Sequence, residues 1–189
     1  MLWTQVKWSE ARQVARAMGL DEKLCPEEGV PPQAWYESAL AEGALERAVS
    51  LLGHALPRYE AVAWVARLLE ADSHRCKLLP RDQQALDRAL RWLGDPSDDF
   101  RREAFEAAEL ASEDAPERML GAAVFLSGGS MAPPDLPPVQ PAPELCGRFA
   151  AAAVVLAAHR SGEAEIALRE ALAAGEAIAA YGLGATAGR

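Results

Sequence analysis

A stretch near the middle of the chain occurs twice at a fixed spacing. Residues 45–53, LERAVSLLG, resemble residues 86–94, LDRALRWLG, at an offset of 41 residues. At the same offset Trp64 corresponds to Phe105, and in each copy a short amphipathic helix ends at glycine before a second helix begins. Two helices in about 40 residues are typical of HEAT-like α-solenoids. We therefore predict two HEAT-like helical hairpins over residues 43–113, although short helices rich in Leu, Ala and Arg also resemble one another by chance.

The other segments have helical periodicity as well, and the alternating or β-branched runs that indicate strands are absent. A length of 189 residues fits one domain. We expect an all-α single domain of eight or nine short helices. Its predicted parts are N-terminal helices over 4–41, the hairpin repeats over 43–113, a helix over 115–127, a Pro-rich strap over 128–143, a C-terminal helical pair over 143–181 and a flexible tail over 182–189.

The positions of apolar residues predict details of this fold. The first helix is expected from Thr4 to Met18, with Thr4 as its cap. The first helix of the C-terminal pair carries an apolar run over 149–158, so we expect it to be central and buried. The predicted core consists of Leu52, Val62, Trp64, Val65, Leu68, Leu90, Leu93, Phe105, Leu110, Phe125, Val154, Val155, Leu156, Ile166 and Leu168.

The Pro-rich segment has six prolines within residues 133–143, which excludes a helix and favours extended chain. Two interpretations are open. The segment is either a strap that packs across its own helices, or a peptide that docks into an aromatic groove of a partner. Leu136 and Val139, which lie between prolines, favour the strap.

Acidic residues are concentrated in one stretch of a chain whose net charge is −9. Residues 95–117 hold nine acids and two arginines. A solvated helix face explains most of them. The alternatives are a docking face for a basic partner, or pairing with the basic residues of 75–91. The candidate interaction residues are Asp98, Asp99, Glu103, Glu106 and Glu109.

No catalytic or metal-binding pattern is present among the histidines and cysteines. His54, His74 and His159 form no metal motif, and we predict no cofactor and no metal site. Cys76 lies beside His74, Arg75 and Lys77 and is the best candidate nucleophile. Cys25 lies in an acidic loop, and Cys146 begins a buried helix. The sequence thus favours a protein that is not an enzyme, without excluding one.

Several features bear on location and partners. The first residues lack the charged start and apolar core of a secretory signal. The apolar run over 149–158 is about half of a bilayer span. Three widely spaced cysteines indicate reduced thiols. We expect a cytoplasmic protein with a protein partner, no membrane insertion and no nucleic acid, because an acidic chain lacks the basic face that nucleic acids require. The oligomeric state stays open.

A second functional hypothesis places a pocket beneath the loop over 127–143. In this alternative the protein is a small-molecule-binding or enzymatic helical domain. Its pocket would be lined by His54, Arg58, Trp64, Ser127 and Ser130, with His159 as a further candidate. If His54 and Arg58 converge on one buried pocket with Trp64, the pocket hypothesis gains support. If they only cap helices, the interaction hypothesis stands.

Two segments resemble a known family. HALPRYEAVAW at residues 54–64 resembles the pattern HALPxxEAVxW, and SGGSMAPP at residues 127–134 resembles SGGSxAPP. Both are similar to an uncharacterised, all-helical bacterial family associated with type VI secretion gene clusters, over residues 24–180. The resemblance implies a cytoplasmic accessory role and carries no catalytic residue. The function predicted is a non-enzymatic protein–protein interaction module, as adaptor or chaperone-like accessory of a bacterial assembly.

Overall fold

A computed structural model describes residues 2–186 of the chain as an all-helical single domain, and no strand occurs among them. The all-α prediction is therefore confirmed. The described residues form nine α-helices, which are α1 (Ala11–Ala17), α2 (Pro32–Ala41), α3 (Leu45–Ala55), α4 (Arg58–Ser73), α5 (Pro80–Gly94), α6 (Asp98–Leu110), α7 (Pro116–Leu126), α8 (Leu145–Arg160) and α9 (Ala164–Tyr181).

Local signals explain most helix starts. Pro32, Pro80 and Pro116 occupy the first position of their helices, where an N–H is not needed. Ser97 caps α6, since its Oγ accepts a hydrogen bond from the backbone N–H of Phe100 at 3.3 Å. Among residues 2–186 no helix has the length and apolar character that crossing a membrane requires.

Helix α8 lies at the centre of the fold and packs against α3, α4, α7 and α9. Its small residues allow this close packing. Gly147 lies so near α3 that a Cβ there would be 2.8 Å from the His54 ring. Gly175 of α9 likewise leaves room for the Trp64 indole. Trp64 is buried, and its Nε1 donates to the Ala171 carbonyl oxygen at 2.9 Å, which joins α4 to α9.

The two predicted hairpins differ in their packing. Helices α5 and α6 pack closely along each other, whereas α3 and α4 contact each other little and pack mainly on α8. Tyr59 of α4 contacts α5, where its ring lies 5.7 Å from that of Trp92 and its hydroxyl donates to the Leu93 carbonyl at 2.8 Å. The HEAT-like relation between the two pairs stays a prediction.

The N-terminal helix is shorter than predicted, because it begins at Ala11 and not at Thr4. The preceding residues contact the end of α9 instead. The backbone N–H of Gln5 donates to the Ala179 carbonyl at 2.9 Å, and the Thr4 hydroxyl donates to the Ala180 carbonyl at 2.5 Å. At the other end of the chain, Leu183–Thr186 form a short 3₁₀ turn, and the rest of the predicted flexible tail lies outside the described residues.

Two residues of the predicted core are on the surface. Leu110 is exposed because α6 faces its neighbours with Ala104, Ala107 and Ala108. Helices α6 and α7 approach so closely that a Cβ on Gly121 would lie 2.8 Å from the Ala104 carbonyl oxygen. Ile166 is exposed because it falls beside the buried stripe of α9.

Candidate functional site

A buried arginine anchors the loop that follows α7. Arg101 is only 4% exposed. Its Nη1 donates to the Phe125 carbonyl oxygen at 2.6 Å, and its Nη2 donates to the Ser130 carbonyl oxygen at 2.8 Å. The guanidinium also pairs with Asp98 at 2.6 Å and lies over the Phe125 ring, with Cζ 4.6 Å from the centroid. Arg101 therefore joins the start of α6 to the end of α7 and to Ser130, where the loop Ser127–Ser130 ends.

A second arginine and a glycine complete this anchor. Arg102 donates from Nη2 to the carbonyl oxygens of Ser130, at 3.0 Å, and Ala132, at 2.9 Å. Gly129 has a φ of +68°, which L side chains rarely adopt, and a Cβ there would lie 2.9 Å from Arg101 Nε. The close approach of Arg101 thus explains the glycine at position 129 of the SGGS sequence.

The Pro-rich segment extends from this anchor as an arm, which we define as residues 131–140. The arm closes on itself at its base: the Met131 N–H donates to the Val139 carbonyl at 2.8 Å, and the Ser130 hydroxyl accepts from the Val139 N–H at 3.0 Å. Residues 133–140 are all exposed. Leu136 is 55% exposed and Val139 is also exposed, so their expected packing on the protein's own helices is wrong.

The five predicted interaction residues divide into two groups. Asp98 pairs with Arg101 and Arg102, and these hydrogen bonds, that of Arg102 first, hold the pKa of Asp98 below its usual value. Glu103 pairs with two basic side chains of α5, Arg88 at 2.9 Å and Arg91 at 3.3 Å. Asp98 and Glu103 thus form ion pairs within the molecule. Asp99, Glu106 and Glu109 are exposed and take no part in these ion pairs.

The predicted pocket residues are only partly brought together. His54 and Arg58 line one cleft of about 210 Å³, between the end of α3 and the starts of α4 and α8. Trp64 does not reach it, because its indole is bonded to α9 in the core. The Ser127 carbonyl accepts from Arg58 Nη1 at 3.3 Å, whereas Ser130 belongs to the anchor of the arm. His159 is exposed and contacts Glu46 at 3.1 Å.

His54 forms the buried wall of this cleft. Its Nδ1 lies 2.7 Å from the Ser50 carbonyl oxygen and its Nε2 lies 3.2 Å from the Glu144 carbonyl oxygen. Burial lowers the pKa of His54, and the charge of Arg148 acts in the same direction. The two carbonyls and the Glu144 carboxylate oppose this shift. The imidazole is therefore neutral at pH 7.

A buried ion cluster was missed by sequence reasoning. Glu117 is 0% exposed and accepts hydrogen bonds from Arg160 Nη1 at 2.9 Å and Nη2 at 2.8 Å. Arg160 Nη2 also donates to Asp72 Oδ2 at 2.6 Å. The cluster joins α4, α7 and the end of α8. A basic residue in the last turn of α8 was visible in the sequence, but its partners, 43 and 88 positions away, were not.

Two of the three thiols lie in surroundings that disfavour the thiolate. Burial, and then the nearby Asp72 carboxylate, raise the pKa of Cys76. Burial raises the pKa of Cys146 to about 12. Neither thiol is therefore activated as a nucleophile. Within the part of the chain that the structure describes, no three His, Cys, Asp or Glu side chains are grouped so that they hold a metal ion.

Comparison with known proteins identifies a family without an assigned activity. No curated protein and no solved structure matches the chain. A family model described as "Family of unknown function (DUF6931)" matches residues 35–179. This range holds α3 to α8 complete, with the anchor, the arm and the ion cluster, and most of α2 and α9. The chain therefore belongs to this family of unknown function.

Proposed function

We propose that the protein is a non-enzymatic protein–protein interaction module, and that the arm is its main docking element. The observation that carries this proposal is an ordered base on a segment whose apolar side chains are exposed. Arg101 and Arg102 hold the start of the arm through the Ser130 carbonyl. Leu136 is exposed farther along the arm, and the Val139 side chain is exposed where the arm returns to its base. Burial of each apolar side chain against a partner contributes about 1.5–3 kcal/mol.

The chemistry of the arm indicates the kind of partner. Pro134 and Pro137 have the PxxP spacing, and residues 133–140 are accessible along their length. Segments of this type bind to grooves lined by aromatic residues, with little loss of chain entropy because proline restricts the free peptide. An anchored base lowers the entropic cost further. We therefore assign the partner a proline-binding, aromatic-lined groove.

The exposed acids of α6 supply a second element of the proposed interface. Asp99, Glu106 and Glu109 remain directed to solvent after Asp98 and Glu103 are used within the molecule. Arg101 and Arg102, which hold the base of the arm, belong to the first turns of α6. The acidic residues of the same helix therefore lie near the base of the arm. Charges at the rim of an interface mainly raise the association rate, and they do so less at high salt.

The cellular setting follows from the resemblance of residues 54–64 and 127–134 to a bacterial family of type VI secretion gene clusters. We propose a cytoplasmic adaptor or chaperone-like accessory of such an assembly. Residues 127–134 are the anchor and the start of the arm, which supports an interaction role for this segment.

The test is a quantitative pull-down with tagged protein at low and high salt. The double variant Leu136→Ser, Val139→Ser removes the two exposed apolar side chains of the arm, and Ile166→Ser is its matched control. Leu136 and Ile166 are 55% and 54% exposed, but Ile166 lies on α9. We expect a stoichiometric partner that binds the wild type and Ile166→Ser and is lost with the double variant. Equal recovery by all three proteins, or no partner at either salt, contradicts the proposal.

A further inference from the structure

The cleft beside His54 has features of a small binding site that the arm does not explain. It measures about 210 Å³ and is lined mainly by apolar atoms and backbone, with the Trp8 indole, Pro57 and Pro143 among its walls. Pockets for drug-sized ligands are about 300–1,000 Å³. The smaller volume suits a ligand of the size of one amino-acid residue.

The charged groups around the cleft are mostly basic, on a chain whose net charge is −9. Lys7 and Arg58 both line it. Arg148 lies near enough to lower the pKa of His54, and Glu144 is the acid that acts on the same ring. Arg58 donates from Nη1 to the Ser127 carbonyl, and a guanidinium has five N–H donors in all. Its fork is thus suited to a carboxylate.

The walls of the cleft that Trp8 and His54 form are fixed by contacts within the protein. Trp8 Nε1 donates to the His54 carbonyl oxygen at 3.1 Å, which fixes the indole at one wall. His54 has a carbonyl oxygen beside each ring nitrogen, those of Ser50 and Glu144, and the one N–H of its neutral ring donates to one of them. Gly147 lies directly against the imidazole, and a Cβ at this position would be 2.8 Å from the ring. A preformed wall reduces the entropic cost of binding.

We infer that this cleft binds an apolar carboxylate. The carboxylate pairs with Arg58 and Lys7, and the apolar body packs against Trp8 and Pro57. A free small acid and the C-terminal residue of a peptide present the same chemistry. The inference does not depend on the proposed function of the arm, because none of the residues 131–140 lines the cleft.

The experiment is an NMR titration of the full chain that follows the indole N–H signal of Trp8. Trp8→Phe identifies that signal among those of the five tryptophans. The probes are N-acetyl-L-leucine, a hexapeptide that ends in leucine, and the C-terminal amide of each. We expect saturable shifts with the carboxylates and none with the amides. Arg58→Gln should weaken binding roughly tenfold or more, since charge-assisted hydrogen bonds are lost.

The control is Arg169→Gln, which removes an exposed cation of α9 and should leave the titration unchanged. Binding of either carboxylate supports the inference, and binding of one of them alone separates the two sources. Binding of the free acid alone indicates a small metabolite, and binding of the peptide alone indicates a chain terminus. Three results would overturn the inference. They are equal shifts with the amides, no shift of the Trp8 signal with any probe, and an unchanged affinity in Arg58→Gln.

Discussion

Arg101 lies over the ring of Phe125, with its Cζ 4.6 Å from the ring centroid, and donates from Nη1 to the carbonyl oxygen of the same residue at 2.6 Å. Phe125 is one residue before the end of α7, so this contact links the end of that helix to α6. Through the Ser130 carbonyl the same guanidinium holds the start of the arm. One buried side chain thus helps to fix the point at which the Pro-rich segment begins.

Replacement of Arg101 by methionine should destabilise the protein and release the arm. The variant retains an apolar stem over Phe125 but leaves the Phe125 and Ser130 carbonyls without this donor. We expect a loss of about 2–4 kcal/mol in the free energy of unfolding, measured with urea. Limited proteolysis should cleave within residues 131–140 faster. Arg169→Met, on the exposed face of α9, should change stability by less than about 0.5 kcal/mol, and an equal loss there contradicts the account.

Adjacent glycines provide a matched pair for the same anchor. Gly129→Ala places a Cβ 2.9 Å from Arg101 Nε at a φ of +68°, so we expect a loss of about 1–3 kcal/mol. At Gly128 a Cβ meets nothing within 4 Å, and Gly128→Ala should be almost neutral. Thermal unfolding of both variants measures the difference. Equal melting temperatures would show that the contact of Arg101 with Gly129 is unimportant.

The effects of substitutions at Glu117 and Arg160 on stability should be strongly coupled. Glu117 is the buried member of the pair, whereas Arg160 is partly exposed. Arg160→Met leaves the buried Glu117 carboxylate without its partner, so we expect a loss of about 3–5 kcal/mol in the free energy of unfolding. A double variant, Glu117→Leu with Arg160→Met, removes both charges and should be less destabilised than the sum of the single changes by at least about 1.5 kcal/mol. A double-mutant cycle measures this coupling. If the free-energy changes of the single variants simply add up to that of the double variant, the two residues are not coupled.

Stability should fall as the pH is lowered below about 6.5 because of His54. Burial lowers the pKa of this residue in the folded state, while the unfolded chain takes up a proton near pH 6.5. The stabilisation is therefore complete above pH 6.5 and is lost as the pH falls through the folded-state value. Urea titrations of the wild type and His54→Gln measure it, and their difference in stability should shrink on acidification. Parallel pH profiles would contradict this cause.

The sequence predicted the elements better than their contacts. Prolines and glycines act locally, so the starts of α2 and α7 and the position of the Pro-rich segment were readable. Thr4 resembles a helix cap, but its hydroxyl bonds to Ala180, and a partner 176 positions away leaves no local signal.

The same limit applies to the candidate sites. Trp64 lies ten residues from His54 and was grouped with it, yet the helical turn of α4 directs the indole toward α9. Leu136 and Val139 were expected to pack because they are apolar, but they are exposed on the arm. Nothing in the local sequence distinguishes Arg101, because its carbonyl partners lie 24 and 29 positions away, at the end of α7 and in the loop that follows.

The most direct test of the proposed function is site-specific photo-crosslinking in cells of the source organism. A photo-reactive amino acid replaces Leu136 in one protein and Ile166, its matched control, in another. We predict that the Leu136 position crosslinks to one protein, that the crosslinked peptide lies in an aromatic-rich groove of that partner, and that the Ile166 position gives no such product. Identical products from both positions, or none from Leu136, would contradict docking through the arm.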